Sequence, residues 1–154
     1  MRLICNEYGR DVEIALYSEL SLYNWFQMGV EQLIEFKERI RAHDSESHKP
    51  DKQTRKLLFY LFTGTRGGFT RLRIIMLLLE QPYNTHQLAQ EMQLDYKAIQ
   101  HHMQVLEKNN MVNRVGEKYG AIFHLSNFLE YNIRALDEAI EKLERKMTSK
   151  KVYL

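Results

Sequence analysis

The spacing of apolar positions changes along this chain, and the changes mark its elements. From residue 12 onward, Leu16, Leu20, Tyr23, Phe26, Val30, Leu33 and Ile40 recur close to the helical period. That predicts one long helix, or two broken near Gly29. Over its first turns Val12, Ile14 and Leu16 alternate with Glu13, Ala15 and Tyr17, so a β-hairpin about Gly9 stands as the alternative there. Residues 43–52, HDSESHKPDK, are polar, charged and interrupted by Pro50, and read as a linker. A short helix is expected over 53–63, ended by GTRGG at 64–68. Another runs over about 69–81 and stops at Pro82. Its IIMLLL run is apolar nearly all round, which marks a central core helix.

Residues 84–125 are patterned more closely. Asn84 and Gln87 have the spacing of a capping box, opening a helix whose inner side is Leu88, Ala89 and Met92. Residues 93–95 form a turn, with Leu94 expected in the core and Asp95 expected to cap the next helix. In that second helix Met103 and Leu106 fall within about 40° of Ile99, with Tyr96 and His102 on the shoulders. Asn109 and Asn110 suit left-handed closing positions. Residues 111–115 and 121–125 read as short strands around a loop bounded by Gly116 and Gly120. Helix, turn, helix and hairpin is the order of a helix-turn-helix with a β-wing. The expected fold is therefore mainly α with a small β-wing.

The last stretch, 127–147, carries Leu129, Ile133, Leu136, Ile140, Leu143 and Met147 at spacings of 4, 3, 4, 3 and 4, the period of a coiled-coil seam. A stripe this narrow is not expected to be buried by a helix-turn-helix unit alone, so it reads as a homodimer interface. The organisation that follows is an N-terminal helical extension (1–50), a winged helix-turn-helix (51–125) and a C-terminal dimerisation helix with a tail (126–154).

Charge sharpens this division. The whole chain carries +2, but residues 1–50 sum to −3, 51–125 to +4 and 126–154 to +1. The positive charge accompanies the helix-turn-helix, as an anionic partner would require. The single cysteine, Cys5, excludes an intramolecular disulfide and a Cys-rich zinc site. The longest apolar runs, 57–62 and 74–79, are far short of the ~18–20 residues of a membrane helix. With no secretory pattern at the N-terminus, the expectation is a cytoplasmic protein with no membrane partner.

Reading the major groove takes long hydrogen-bonding side chains on one exposed helix face, near its N-terminus. Lys97, Gln100, His101 and Gln104 fit this, and Tyr96 adds a contact to a phosphate or a thymine methyl. No Asp or Glu interrupts the face between Tyr96 and Val105. In the wing Arg114, Lys118 and Tyr119 are candidates for the DNA backbone or minor groove, with Arg114 also able to pair with Glu117. Arg66, Arg71 and Arg73, around the GTRGG turn and the first core helix, are further backbone candidates. GTRGG itself lacks the G-x-x-x-x-G-K-[ST] pattern and a preceding strand, so a nucleotide loop is not expected. His101 and His102 diverge by 100° on a helix and form no i, i+4 metal pair, and His102 is expected half-buried on a backbone hydrogen bond. No metal, cofactor or catalytic constellation stands out, and the chain is not expected to be an enzyme.

The run at 71–126 resembles the winged-helix domain of ArsR-type transcription regulators, and most closely an archaeal group with a GTRGG-x-TR lead-in. The positions that carry the likeness are 71–79, Leu88-Ala89 with Met92, and Ala98-Ile99 with His102-Met103 and Leu106. Met111-Val112 begins the first wing strand, with Asn110 where the family usually has Gly. The Cys pair of the family's metal sensors has no counterpart in 85–93, so metal sensing does not carry over. The resemblance implies a sequence-specific, homodimeric regulator on an inverted repeat of double-stranded DNA. The alternative is a protein-interaction module on the same fold, with the N-terminal extension as a partner-binding surface.

Overall fold

The apolar face of the N-terminal helix is covered by the far end of the same chain. The computed structural model describes residues 4–5, 11–12, 19–43 and 48–149. Ile4–Cys5 (β1) and Asp11–Val12 (β2) pair antiparallel, Ile4 opposite Val12, while Gly9 and the alternation over 13–17 lie outside the described residues. The helix α1 is described over Glu19–His43 and runs unbroken through Gly29.

The rest of the chain opens with Lys52–Phe59 (α2), continued by a π-helical turn at Tyr60–Gly64. Asp51 caps α2, its Oδ1 accepting from the Thr54 amide at 2.6 Å. That hydrogen bond from Thr54 holds the Asp51 carboxyl below the usual carboxylate range. The cap therefore acts fully at neutral pH and weakens as acid protonates it. Gly68–Glu80 (α3) follows, and Tyr83–Asn84 makes a short strand (β3) before Thr85–Met92 (α4). Tyr96–Lys108 (α5) leads into Val112–Val115 (β4) and Ile122–Leu125 (β5). The sheet order is β3-β5-β4, all antiparallel, with Val112 opposite Leu125 and Tyr83 opposite Phe123. Sequence pattern placed β4 and β5 but not β3.

The helix expected over 127–147 is broken. Asn127–Tyr131 (α6) ends at the buried Asn132, whose Nδ2 donates back to the Phe128 carbonyl at 2.9 Å, and α7 runs over Ile133–Ser149. Such local side-chain bonds compete with the helical ladder and mark helix ends.

The stripe on these helices is covered within the chain. Leu129, Ile133, Leu136 and Ile140 are buried in one core cluster with Leu33, Phe36 and Ile40 of α1, and Leu143 packs partly buried against it. The Met147 side chain lies outside the described residues. Lys37 meets Glu144 at 3.0 Å and Arg41 meets Asp137 at 3.4 Å, so a step forward on α1 is a step back on α7 and the helices run antiparallel. α2 and the π-turn pack on α7 as well. Stripe width was thus a sound sign of a helical partner but not of a second copy, because a long amphipathic α1 supplies the same surface. Each fully buried Leu or Ile contributes about 1.5–3 kcal/mol. The flanking ion pairs are partly solvated and add under about 1 kcal/mol each. The apolar seam, not the charges, holds α1 in place.

Beneath this layer α3 is the central helix, with Leu72, Ile74, Ile75, Met76 and Leu78 buried. It packs against the π-turn, α5 and β5.

Candidate nucleic-acid interface

Local capping chemistry sets the helix-turn-helix. Asn84 Oδ1 accepts from the Gln87 amide at 2.8 Å while Gln87 Oε1 accepts from the Asn84 amide at 2.9 Å, the reciprocal pair expected of a capping box. α4 ends at Gln93, which takes a left-handed conformation (φ 54°). Leu94, expected in the core, is 38% exposed; its amide closes the turn on the Ala89 carbonyl instead. Asp95 then caps α5, accepting from the Lys97 amide at 3.0 Å. At the far end only Asn110, and not Asn109, is left-handed (φ 58°).

α5 divides as its periodicity predicted. Ala98, Ile99, His102, Met103 and Leu106 are buried. Tyr96, Lys97, Gln100, His101, Gln104 and Lys108 are exposed. At 100° per residue, the last five of these fall within an arc of about 100°. Facing part of that arc is the wing, whose loop turns through Gly116 (φ 100°) and Gly120 (φ 92°), conformations that favour glycine. Tyr119 at its tip is 97% exposed, and Lys118 beside it is also in solvent.

The structure sorts the candidate residues onto two flanks of α5. Tyr96, Gln100 and Gln104 share a groove of about 500 Å³ with Arg114, Lys118 and Tyr119 of the wing. Thr85 and His86, at the start of α4, line it too; the sequence pattern did not single them out, although the cap at Asn84 locates the helix end they occupy. Arg114 pairs with Glu107 of α5 at 3.3 Å rather than with Glu117. This pair bridges wing and recognition helix and puts one acid in the groove. On the other flank His101 lines a second cleft with Arg66. Lys97 lines neither.

Arg71 is not a DNA backbone contact. It is 5% exposed, and its Nε and Nη2 donate to the Leu61 carbonyl at 3.0 and 2.8 Å. Nη2 also donates to the Thr65 hydroxyl, and Nη1 faces His102 Nδ1 at 3.4 Å. Arginine only donates, so Nδ1 accepts and the imidazole proton sits on Nε2. His102 is 2% exposed, more deeply buried than expected, and its partner is this guanidinium. Arg71 therefore braces the π-turn against α5. Its spacing to Ile75 and Leu78, on the buried side of α3, was the signal that it points inward.

The GTRGG segment serves the same brace. A Cβ on Gly67 would sit 2.5 Å from Arg71 Nη1 and 2.6 Å from His102 Cε1, and one on Gly68 would strike the Phe62 carbonyl. These glycines admit close packing of the turn and are not arranged as a phosphate loop. Among the described residues no cluster of His, Cys, Asp and Glu could hold a metal, and no helix is long and apolar enough to cross a membrane.

Residues 69–114, from α3 into β4, match the family described as bacterial regulatory protein, arsR family. Among solved structures the chain is similar to reduced HlyU from Vibrio cholerae N16961, at 20% identity over 59% of this chain and 90% of that one, with a TM-score of 0.44. It is also similar to RV1404 from Mycobacterium tuberculosis, at 13% identity over 90% of this chain and 82% of that one, with a TM-score of 0.40. No curated protein matches. The exposed face of α5, the wing beside it and the match over residues 69–114 show a winged helix whose helix-turn-helix is similar to that of the arsR family of bacterial regulatory proteins.

Proposed function

We propose that the chain is a sequence-specific regulator of transcription that places α5 in the DNA major groove. Tyr96, Lys97, Gln100, His101 and Gln104 meet base edges and nearby phosphates, while Arg114, Lys118 and Tyr119 of the wing follow the backbone or the minor groove. The observation that carries this reading is the acid-free exposed arc from Tyr96 to Gln104 beside a wing bearing two cations. Gln at two positions of that arc suits bidentate pairing with adenine N6 and N7.

The regulator is proposed to act as a homodimer on an inverted repeat, its two recognition helices ~34 Å apart in successive major grooves. With the stripe of α6 and α7 buried inside each chain, the pairing surface of such a dimer lies elsewhere. Selection of bound sites from random duplexes, paired with sedimentation of the complex, tests both parts. The expected outcome is a palindromic motif with two chains per duplex. Recovery of no motif would end the sequence-specific reading, and one chain per duplex would end the dimer.

A further inference from the structure

The flank of α5 away from the wing holds a cleft that shares only His101 with the face proposed to read DNA. It measures about 470 Å³, within the ~300–1,000 Å³ range of small-molecule sites. One wall is the π-turn with Tyr60 and Leu61, and the other is the stretch of α5 from its middle to its C-terminus, with His101, Val105 and Lys108. Arg66 stands at the rim, and the buried Arg71 and His102 form the floor. We propose that this cleft binds a small organic anion, an apolar ring or chain ending in a carboxylate or phosphate.

Three features carry the proposal. The lining holds three permanent cations, Arg66, Arg71 and Lys108, two histidines, and no Asp or Glu. Lys37, Arg39, Arg41, Arg55 and Arg114 each face a carboxylate, while other surface cations such as Lys52, Lys97 and Lys118 do not among the described residues. Arg66 and Lys108 make no such pair among the described residues. Second, the cleft has apolar walls to receive a body as well as a charge. Tyr60 is 62% exposed at its edge, a large ring left in water, with Leu61 and Val105 deeper. Third, the turn that forms one wall is π-helical, a form seen mostly as short, functional irregularities. It is held open by three donors converging on the Leu61 carbonyl: Arg71 Nε, Arg71 Nη2 and the Thr65 hydroxyl.

A DNA phosphate fits this place less well. Recognition helices meet bases through their N-terminal residues, and apart from His101 this cleft follows the later turns of α5. Its floor is a guanidinium nearly closed to solvent, which a molecule free to enter end-on can approach and a duplex backbone cannot. Arg66, expected from sequence as a backbone contact, belongs here instead. An anion held between the two walls would clip α5 to the π-turn and so couple its concentration to DNA affinity. That coupling rests on the DNA-binding reading, but binding itself does not.

The test is calorimetric titration of the full chain, without DNA, with benzoate, phenyl phosphate and neutral benzyl alcohol. At least one anion is expected to bind saturably, one per chain, with a dissociation constant at or below about 1 mM, and the alcohol not at all. The Arg66→Ala/Lys108→Ala variant is expected to lose at least about tenfold in that affinity with its melting temperature unchanged, since both residues are exposed. No binding by either anion, equal binding of the alcohol, or full affinity in the variant would overturn the proposal. So would failure of both anions combined with a weaker, less salt-dependent DNA complex in the variant, because the rim would then serve the DNA backbone. Anion binding by a chain that binds no DNA leaves this site standing and removes the regulator reading.

Discussion

On the π-turn side of α5 a buried guanidinium makes four polar contacts, reaching two backbone or hydroxyl groups of the turn and a histidine of the helix. On the wing side a single ion pair, Arg114 to Glu107, joins two half-exposed side chains at 3.3 Å. Both are arginines reaching from a neighbouring element to the same helix. The first sits where water cannot replace it, so each lost hydrogen bond leaves an unsatisfied group at the full desolvation cost. The second competes with water and salt and is worth under about 1 kcal/mol. One flank therefore fixes how α5 is rotated, while the other leaves the wing free to adjust to a duplex.

Arg71→Met should show the largest effect, a loss of about 3 kcal/mol in urea unfolding, because the Leu61 carbonyl, Thr65 hydroxyl and His102 all lose a buried partner. A loss below about 1 kcal/mol would mean that the two arginines are not different in kind. Gly68→Ala should cost about 2 kcal/mol by forcing the Phe62 carbonyl aside, measured in the same way. Wild-type stability there would show that the turn yields and is not a fixed brace. Gln104→Ala should lower discrimination at one base position by about 1.5 kcal/mol in competitive binding, with non-specific affinity nearly intact. Equal weakening on every sequence would place Gln104 on the backbone. Arg114→Ala should change stability by less than about 0.5 kcal/mol while lowering the salt slope of DNA binding by about one. An unchanged slope would leave the wing arginine with no role on DNA.

What was legible in the sequence was whatever acts within a few residues. Asn84 with Gln87, and Asp95 with Lys97, close their hydrogen bonds within three positions, so the helix starts could be read directly. The exposed arc of α5 followed from helical phase alone. Contacts that depend on distant partners were less visible. β3 is two residues long and exists only because Phe123 and Ile122 lie opposite it. Leu94 looked like a core residue from its type, yet the left-handed Gln93 turns it toward solvent. The stripe of α6 and α7 signalled a helical partner correctly, but periodicity carries no information about which chain provides it. Arg71 is the simpler case: its residue type suggests a surface cation, while its phase with Ile75 and Leu78 points it inward.

The in-chain cover of that stripe also sets an order of events during synthesis. Lys37 and Glu144 are 107 positions apart. α1 is synthesised well before α7, whose residues help bury Leu33, Phe36 and Ile40. The helix-turn-helix and wing, closed by local caps and a hairpin, can form in between. Long-range contacts of this kind slow folding and leave apolar surface open while they wait. A chain released before α7 is complete would therefore carry a finished reading head and a bare amphipathic helix, the species a holding chaperone would be expected to bind.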